Sequence, residues 1–143
     1  IFKLDVVIAN HPRMIDNSEI LSNKYSIFDN RTENLISNSS MVIVSSSNAI
    51  NFALLSYKPI LFYSYNGFTS NHKEHIFSRS KYLKKNLINI NNKKYDKSLL
   101  SNEFKVDKNI YNKYINNFII DTNTSMFKKN FTNDIYFDFM KNI

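Results

Sequence analysis

The sequence predicts an α/β domain in which helices flank a parallel β-sheet on both faces. Three short apolar runs, at residues 4–9, 41–44 and 60–63, have the aliphatic and β-branched character of strands buried on both sides. Helical segments alternate with these runs, which is the pattern of an α/β fold. Residues 41–63 form a strand, helix and strand in succession, and such units close in a right-handed, parallel sense.

Length and composition indicate one globular domain spanning residues 1–143. A hydrophobic content of 43% is enough for a real core in a chain of 143 residues. The chain has no cysteine, which excludes disulfides, thiolate metal sites and a thiol nucleophile. It has one glycine, Gly67, which excludes the glycine-rich phosphate loops of both the dinucleotide and the P-loop type.

The net charge of +7 favours anionic partners such as nucleotides, nucleic acid or an acidic membrane surface. The abundance of Asn, Lys, Ile, Tyr and Phe is also typical of an AT-rich coding sequence, which raises lysine content regardless of function. We prefer this second explanation for the charge as a whole. A basic stretch (Lys81, Lys84, Lys85, Lys93 and Lys94) is accordingly interpreted as a solvated face.

A polar turn, Asn10-His11-Pro12-Arg13, follows the first predicted strand. Pro12 ends the strand and fixes the turn. His11 can donate to a phosphate and stabilise a leaving group, and Arg13 can bind phosphate through two parallel hydrogen bonds. The alternative is an ordinary polar turn.

Residues 14–28 read as a polar loop, after which a short helix is expected. Asn30 and Glu33 have the spacing of a capping box, with Asn30 as the N-cap. Leu35 and Ile36 supply the buried side of this helix, which leads into the strand at 41–44.

The central polar turn, Ser45-Ser46-Ser47-Asn48, separates that strand from a helix at residues 49–57. A helix N-terminus offers unpaired N–H groups and a partial positive charge, so it suits an anion. Ligands of open parallel sheets bind beyond the carboxyl ends of the strands, where these hydroxyls are expected to lie. The alternative, of similar weight, is that Ser46 or Ser47 only caps the helix.

The rest of the chain predicts one more strand and three helices. A helix at 72–85 begins with His72 and His75, which could share a metal, but no third ligand is identifiable and a solvated helix start is favoured. A strand at 87–90 and a helix at 106–119 follow. A last helix, at 131–143, repeats an apolar stripe, and core packing and a contact with something outside this chain are the two open interpretations of that stripe.

Together the His-Pro turn and the serine turn resemble motifs of the nucleotide-binding half of GT-B glycosyltransferases. The likeness covers most of residues 1–90 and is closest to bacterial enzymes of capsule and other surface polysaccharides, including the sialyltransferase-like groups. In those families a His-Pro and a Ser-Ser motif hold the phosphate and ribose of a nucleotide sugar. Residues 51–60, Asn-Phe-Ala-Leu-Leu-Ser-Tyr-Lys-Pro-Ile, are similar to the segment after the serine motif.

The resemblance implies a Rossmann-like sheet that binds a nucleotide-sugar donor. It also implies that the last helix, at 131–143, crosses to the other domain. His11 would be the catalytic group, and Arg13 with residues 45–48 would bind the donor. No metal or other cofactor is expected, because His11 and the helix start at Ser46 and Ser47 would stabilise the charge on the departing phosphate. A CMP-linked acidic sugar is one candidate donor.

The chain also departs from the GT-B pattern in two respects. Phe52 stands where many GT-B enzymes carry a ribose-binding Glu, which argues against the retaining UDP-sugar type. The catalytic base of these enzymes belongs to an amino-terminal domain, so this chain is expected to be an incomplete piece that meets its acceptor glycan through that domain. The implied location is the cytoplasm, with peripheral contact at the inner face of the membrane, and no nucleic-acid partner.

Two other functions stay open at the level of sequence. One is a GT-B relative with another task, such as a sugar-nucleotide epimerase or a polyol-phosphate transferase. The other is a non-enzymatic, basic nucleic-acid-binding domain, which would require basic residues grouped with stacking aromatics on one face. The basic stretch lies away from both polar turns, which disfavours this second alternative.

Overall fold

The computed structural model describes residues 4–10, 23–92 and 97–120. It confirms the α/β class, with parallel sheets flanked by helices. In chain order the elements are β1 (Val7–Ala9), β2 (Ser26–Phe28), α1 (Thr32–Asn38), β3 (Val42–Val44), α2 (Ala49–Leu55), β4 (Ile60–Ser64), α3 (Ser70–Tyr82), β5 (Leu87–Asn89), α4 (Lys97–Glu103) and α5 (Lys108–Phe118).

The larger sheet has the order β3-β4-β5 with parallel pairing throughout. Val42 pairs with Ile60 and Phe62 pairs with Leu87. The predicted strand, helix and strand unit at residues 41–63 is therefore confirmed. Each crossover is made by one helix, α2 between β3 and β4 and α3 between β4 and β5, so the carboxyl ends of all three strands lie at one edge.

The prediction of one sheet that also contains the first strand is wrong for the described residues. β1 pairs in parallel with β2, with Ile8 opposite Ile27, and these two strands form a separate sheet. β2 falls inside the segment predicted to be a polar loop. Its short apolar pair, Ile27 and Phe28, was too brief to be recognised as a strand from the sequence.

The core lies around the three-stranded sheet. Ile50 and Leu54 of α2, Phe62 of β4 and Tyr111 of α5 have no exposed surface, and buried residues of α1 and α3 join the same cluster. The apolar stripe predicted on residues 106–119 is confirmed, since Tyr111, Tyr114 and Ile115 are buried. Phe118 belongs to the same predicted stripe but is exposed.

The start of α1 differs from the predicted capping box. Arg31, not Asn30, is the N-cap, and no side chain caps this helix. Asn30 has a φ of 53°, in the left-handed region, which Asn tolerates better than most residues. Asn30 therefore takes part in the turn before the helix and not in a capping hydrogen bond.

Two helices end on a left-handed residue other than glycine. Tyr57 has a φ of 49° and Lys84 a φ of 52°. In each case the next amide reaches back to close the helix, Lys58 N to the Ala53 carbonyl and Lys85 N to the Ser80 carbonyl, both at 2.8 Å. These are Schellman-type ends, which usually use glycine at this position.

α4 was not predicted from the sequence, and Lys85 ties it to the start of β5. The Lys85 ammonium donates to the carbonyls of Glu103 and Lys105 at 2.9 and 2.6 Å and lies 3.8 Å from the Glu103 carboxylate. Burial lowers the pKa of Lys85, and the Glu103 carboxylate opposes part of that shift. Lys85 is therefore not part of a solvated basic face as predicted, although Lys81 and Lys84 are exposed.

None of the helices in the described part of the chain is long and apolar enough to cross a membrane. The helix predicted at residues 131–143 lies outside the described residues, so its crossover to another domain stays a prediction.

Candidate functional site

The serine turn lies at the carboxyl edge of the three-stranded sheet, where β3 ends and α2 begins. Ser45 and Ser46 are half-buried, and Ser47 and Asn48 are exposed. Val42 and Val44 fix the turn from one side because they are buried in the core, and Ile50 fixes it from the other. The polar side chains thus stand on anchored backbone at the edge where ligands of parallel sheets bind.

The first amides of α2 are used within the turn itself. Ala49 N donates to Ser47 Oγ at 3.1 Å, and Asn51 N donates to the Asn48 carbonyl at 2.9 Å. Asn48 is the N-cap but makes no capping hydrogen bond through its side chain. The simple capping role that the sequence left open therefore applies to Ser47. The helix has seven residues, and a fixed cation comes to the turn from another helix, α3.

α3 brings an imidazole to the turn. Thr69 caps α3 by accepting from His72 N at 3.4 Å, which sets the first turn of the helix. Ile76, one turn further along, is buried and holds this side of the helix against the core. His72 Nε2 is hydrogen bonded to Ser46 Oγ. Ser46 is therefore paired with the imidazole of α3, and Ser47 is the serine that accepts from the first amide of α2.

Arg79 adds a permanent positive charge. Its guanidinium donates to the carbonyls of Ser46 and Ser47 at 3.4 and 3.3 Å and to Asn48 Oδ1 at 3.4 Å. These distances are at the long end for N–H···O hydrogen bonds, so the fork lies against the turn without being tightly engaged. A planar guanidinium with several donors is well suited to carboxylate or phosphate oxygens.

The cluster formed by Ser46, His72 and Arg79 is called the α3–serine cluster below. It combines a hydroxyl, a ring nitrogen that can accept or donate, and a fixed cation. These groups can together hold an anion with several oxygen atoms, because each can supply a hydrogen-bond donor.

The structure brings Ser46 and Ser47 together with two residues that the site prediction from the sequence omitted. From the sequence, His72 is a candidate metal ligand or part of a solvated helix start, and Arg79 is not a site candidate. Their spacing around buried Ile76, four residues before and three after, places them on one side of a helix. This spacing indicates from the sequence that His72 and Arg79 share one side of α3. The sequence does not indicate that this side faces the serine turn.

His11 and Arg13 lie outside the described residues, so their predicted roles stay predictions. Asn10, the last described residue before them, joins the ends of the two strands of the smaller sheet. Its amide side chain donates to Asp29 Oδ1 at 2.8 Å, and its backbone N donates to the Phe28 carbonyl at 2.9 Å.

The described residues contain no cluster of three His, Asp or Glu side chains that could hold a metal ion. His72 directs Nε2 to Ser46, and its ring packs on Phe68 with the ring centroids 5.0 Å apart.

Comparisons with known proteins identify no relative of this chain. No protein-family model, no curated protein and no solved structure matches it.

Proposed function

We propose that this chain is the donor-binding part of a glycosyltransferase of the GT-B type, acting on a nucleotide sugar in bacterial surface-polysaccharide synthesis. The observation that supports this best is the convergence of Ser46, His72 and Arg79 at the carboxyl edge of the sheet. Phosphate oxygens require hydrogen-bond donors and positive charge in one place, and the α3–serine cluster offers both.

In this proposal the donor phosphate occupies the α3–serine cluster. The Ser46 hydroxyl and the His72 ring contact phosphate oxygens, and the Arg79 guanidinium balances the charge that grows as the sugar–phosphate bond breaks. His11 and Arg13, which follow β1 in sequence, keep the roles that the resemblance implies. The acceptor glycan and the catalytic base belong to a domain outside this chain.

The first test is a titration of CMP, CDP, UDP and GDP into the purified chain, followed by calorimetry and thermal shift. The nucleotide that binds best is then titrated into Ser46→Ala and Arg79→Gln. Each lost charge-assisted contact is expected to cost about 1.5–3 kcal/mol, which is roughly a tenfold to hundredfold loss of affinity.

The matched control is Lys81→Gln, which removes a cation from the same helix. Lys81 is exposed, with its ammonium 6.0 Å from the centre of the Phe77 ring. Its neutralisation should cost less than about 1 kcal/mol because solvent and salt screen its charge. An equal loss of affinity in Lys81→Gln and Arg79→Gln would indicate general polyanion binding, and failure of all four nucleotides to bind would contradict the proposal.

A further inference from the structure

The loop that follows β4 carries an exposed aromatic ring at the same edge of the sheet as the serine turn. Tyr65 comes directly after Ser64, the last residue of β4, and is 40% exposed. Phe68 packs against its ring edge, with the ring centroids 4.2 Å apart and the planes at 61°. Phe68 is itself packed against the core, so it provides a firm support for Tyr65.

The only glycine of the chain is the residue on which this ring rests. A Cβ atom added to Gly67 would overlap Cε2 of the Tyr65 ring. Gly67 has no positive φ, so its backbone conformation is open to other residues. The Tyr65 ring approaches the backbone of Gly67 closely, and a side chain at residue 67 would prevent this approach.

Asparagine side chains hold the loop in place. Asn66 N donates to Asn91 Oδ1 at 2.8 Å, and Asn89 Nδ2 donates to Asn66 Oδ1 at 3.0 Å. The loops after β4 and β5 are thereby joined, and Phe68 N closes a turn onto the Tyr65 carbonyl at 3.2 Å. Tyr65 is therefore presented on hydrogen-bonded backbone, although it lies at the surface.

The aromatic ring is linked to the α3–serine cluster by direct contacts. Phe68 contacts both the Tyr65 ring and the His72 ring, with its centroid 4.2 and 5.0 Å from theirs. His72 in turn is hydrogen bonded to Ser46. Tyr65 is thus connected to the α3–serine cluster through Phe68, which contacts both the Tyr65 ring and the His72 ring.

We propose that Tyr65, supported by Phe68 and Gly67, is the surface on which the nucleobase of the donor stacks. The inference rests on the proposed function, because it assumes that the phosphate of the same nucleotide occupies the α3–serine cluster. An exposed aromatic face binds a base of any type, because every base has a π-face. Tyr65 therefore contributes affinity for the nucleotide, whereas selection among bases requires hydrogen-bonding groups.

The test compares a nucleotide, which has both a base and a phosphate, with ligands that have only the base and its sugar or only phosphate. The best-binding nucleotide, its nucleoside and inorganic pyrophosphate are titrated into the wild-type chain and four variants. Tyr65→Leu removes the ring, Tyr65→Phe keeps it, and Gly67→Ala displaces it while leaving its chemistry unchanged. Phe77→Leu is the control, since Phe77 is 55% exposed and its ring faces Lys81.

Tyr65→Leu and Gly67→Ala are expected to weaken nucleotide binding by roughly 5-fold to 100-fold and to leave pyrophosphate binding unchanged. Tyr65→Phe and Phe77→Leu should bind the nucleotide within about twofold of wild type. Saturation-transfer NMR with the nucleoside should show transfer to the base protons in wild type and its loss in Tyr65→Leu. Thermal unfolding of each variant checks that the fold is kept.

The outcomes separate this inference from the function on which it rests. If nucleotide and pyrophosphate both bind and depend on Ser46 but not on Tyr65, the stacking surface is refuted and the phosphate cluster stands. If Tyr65→Leu weakens pyrophosphate as much as the nucleotide, the ring serves the structure of the cluster and the inference is again refuted. If the wild-type chain binds neither ligand, the inference and the proposed function are refuted together.

Discussion

The two parallel sheets of this molecule are made from similar sequences but differ in how far they are buried. In β4, Ile60, Phe62 and Ser64 are buried and the residues between them are half-buried. In β1, Val7 is 45% exposed, and none of the three residues of that strand is buried. Parallel sheets are ordinarily covered on both faces, and within the described residues only the three-stranded sheet approaches that condition.

This contrast shows that an apolar run predicts a strand but does not predict its burial. β1 lies in a run, residues 4–9, that is apolar except for Asp5, and the sequence pattern predicted that β1 and β3 belong to one sheet. The difference comes from the surrounding elements, because α2, α3 and α5 contribute to the core around β3, β4 and β5. Helical cover, not strand composition, thus decides where stability is concentrated.

The largest expected effect comes from the centre of the larger sheet. Phe62→Ala removes a fully buried ring from β4 and should lower the free energy of unfolding by about 3–5 kcal/mol. This loss combines the transfer free energy of the removed ring with the free-energy cost of the cavity that its removal leaves. Urea unfolding followed by circular dichroism measures this change. A loss below about 1 kcal/mol would mean that the core around β4 is not the stabilising region.

A smaller effect, dependent on pH, is expected at the helix that covers this sheet. Tyr111 of α5 donates its hydroxyl to the Lys58 carbonyl at 3.0 Å, just before β4 begins. Burial, and to a lesser degree the Glu103 carboxylate, raises the pKa of the Tyr111 phenol well above its ordinary value. Near pH 8, Tyr111→Phe should cost about 1 kcal/mol, because it removes one hydrogen bond.

The sign of this pH dependence follows from which state holds the proton. Above a pH of about 10 the unfolded chain loses the phenolic proton while the folded chain keeps it, so wild-type stability falls. The Tyr111→Phe variant has no phenolic proton to lose. The difference in unfolding free energy between wild type and this variant should therefore shrink as the pH rises above about 10. Parallel urea titrations at pH 8 and above pH 10 test this, and a constant difference between the two proteins would show that Tyr111 titrates as an exposed phenol.

The smallest effect is expected in the smaller sheet. Val7→Ala removes two methyl groups that are already about half in contact with solvent, so it should cost less than about 1 kcal/mol. The amides of β1 and β2 should also exchange hydrogen faster than those of β4. A cost for Val7→Ala approaching that of Phe62→Ala would mean that the smaller sheet is covered in solution, and the contrast between the two sheets would disappear.

Local features of the sequence were sufficient for most of the larger sheet and for the position of the serine turn. Residues 41–44 and 60–63 are apolar and β-branched enough to be strands, and Pro59 marks the end of the intervening helix. The start of α1 was predicted wrongly for a local reason. Asn30 suits both an N-cap and a left-handed turn, and its spacing from Glu33 did not distinguish the two.

What the sequence determined by itself was the kind of most segments, β2 and α4 excepted: strands where β-branched residues cluster, helices where apolar residues recur every three or four positions, and a hydroxyl-rich turn between them. Which segments meet was decided by the tertiary structure. β1 pairs with β2, and Ser46 meets His72, which is 26 residues away along the chain. Such partners depend on how whole elements pack, and the free energy of that packing is spread over residues distant in sequence, so no local pattern records it.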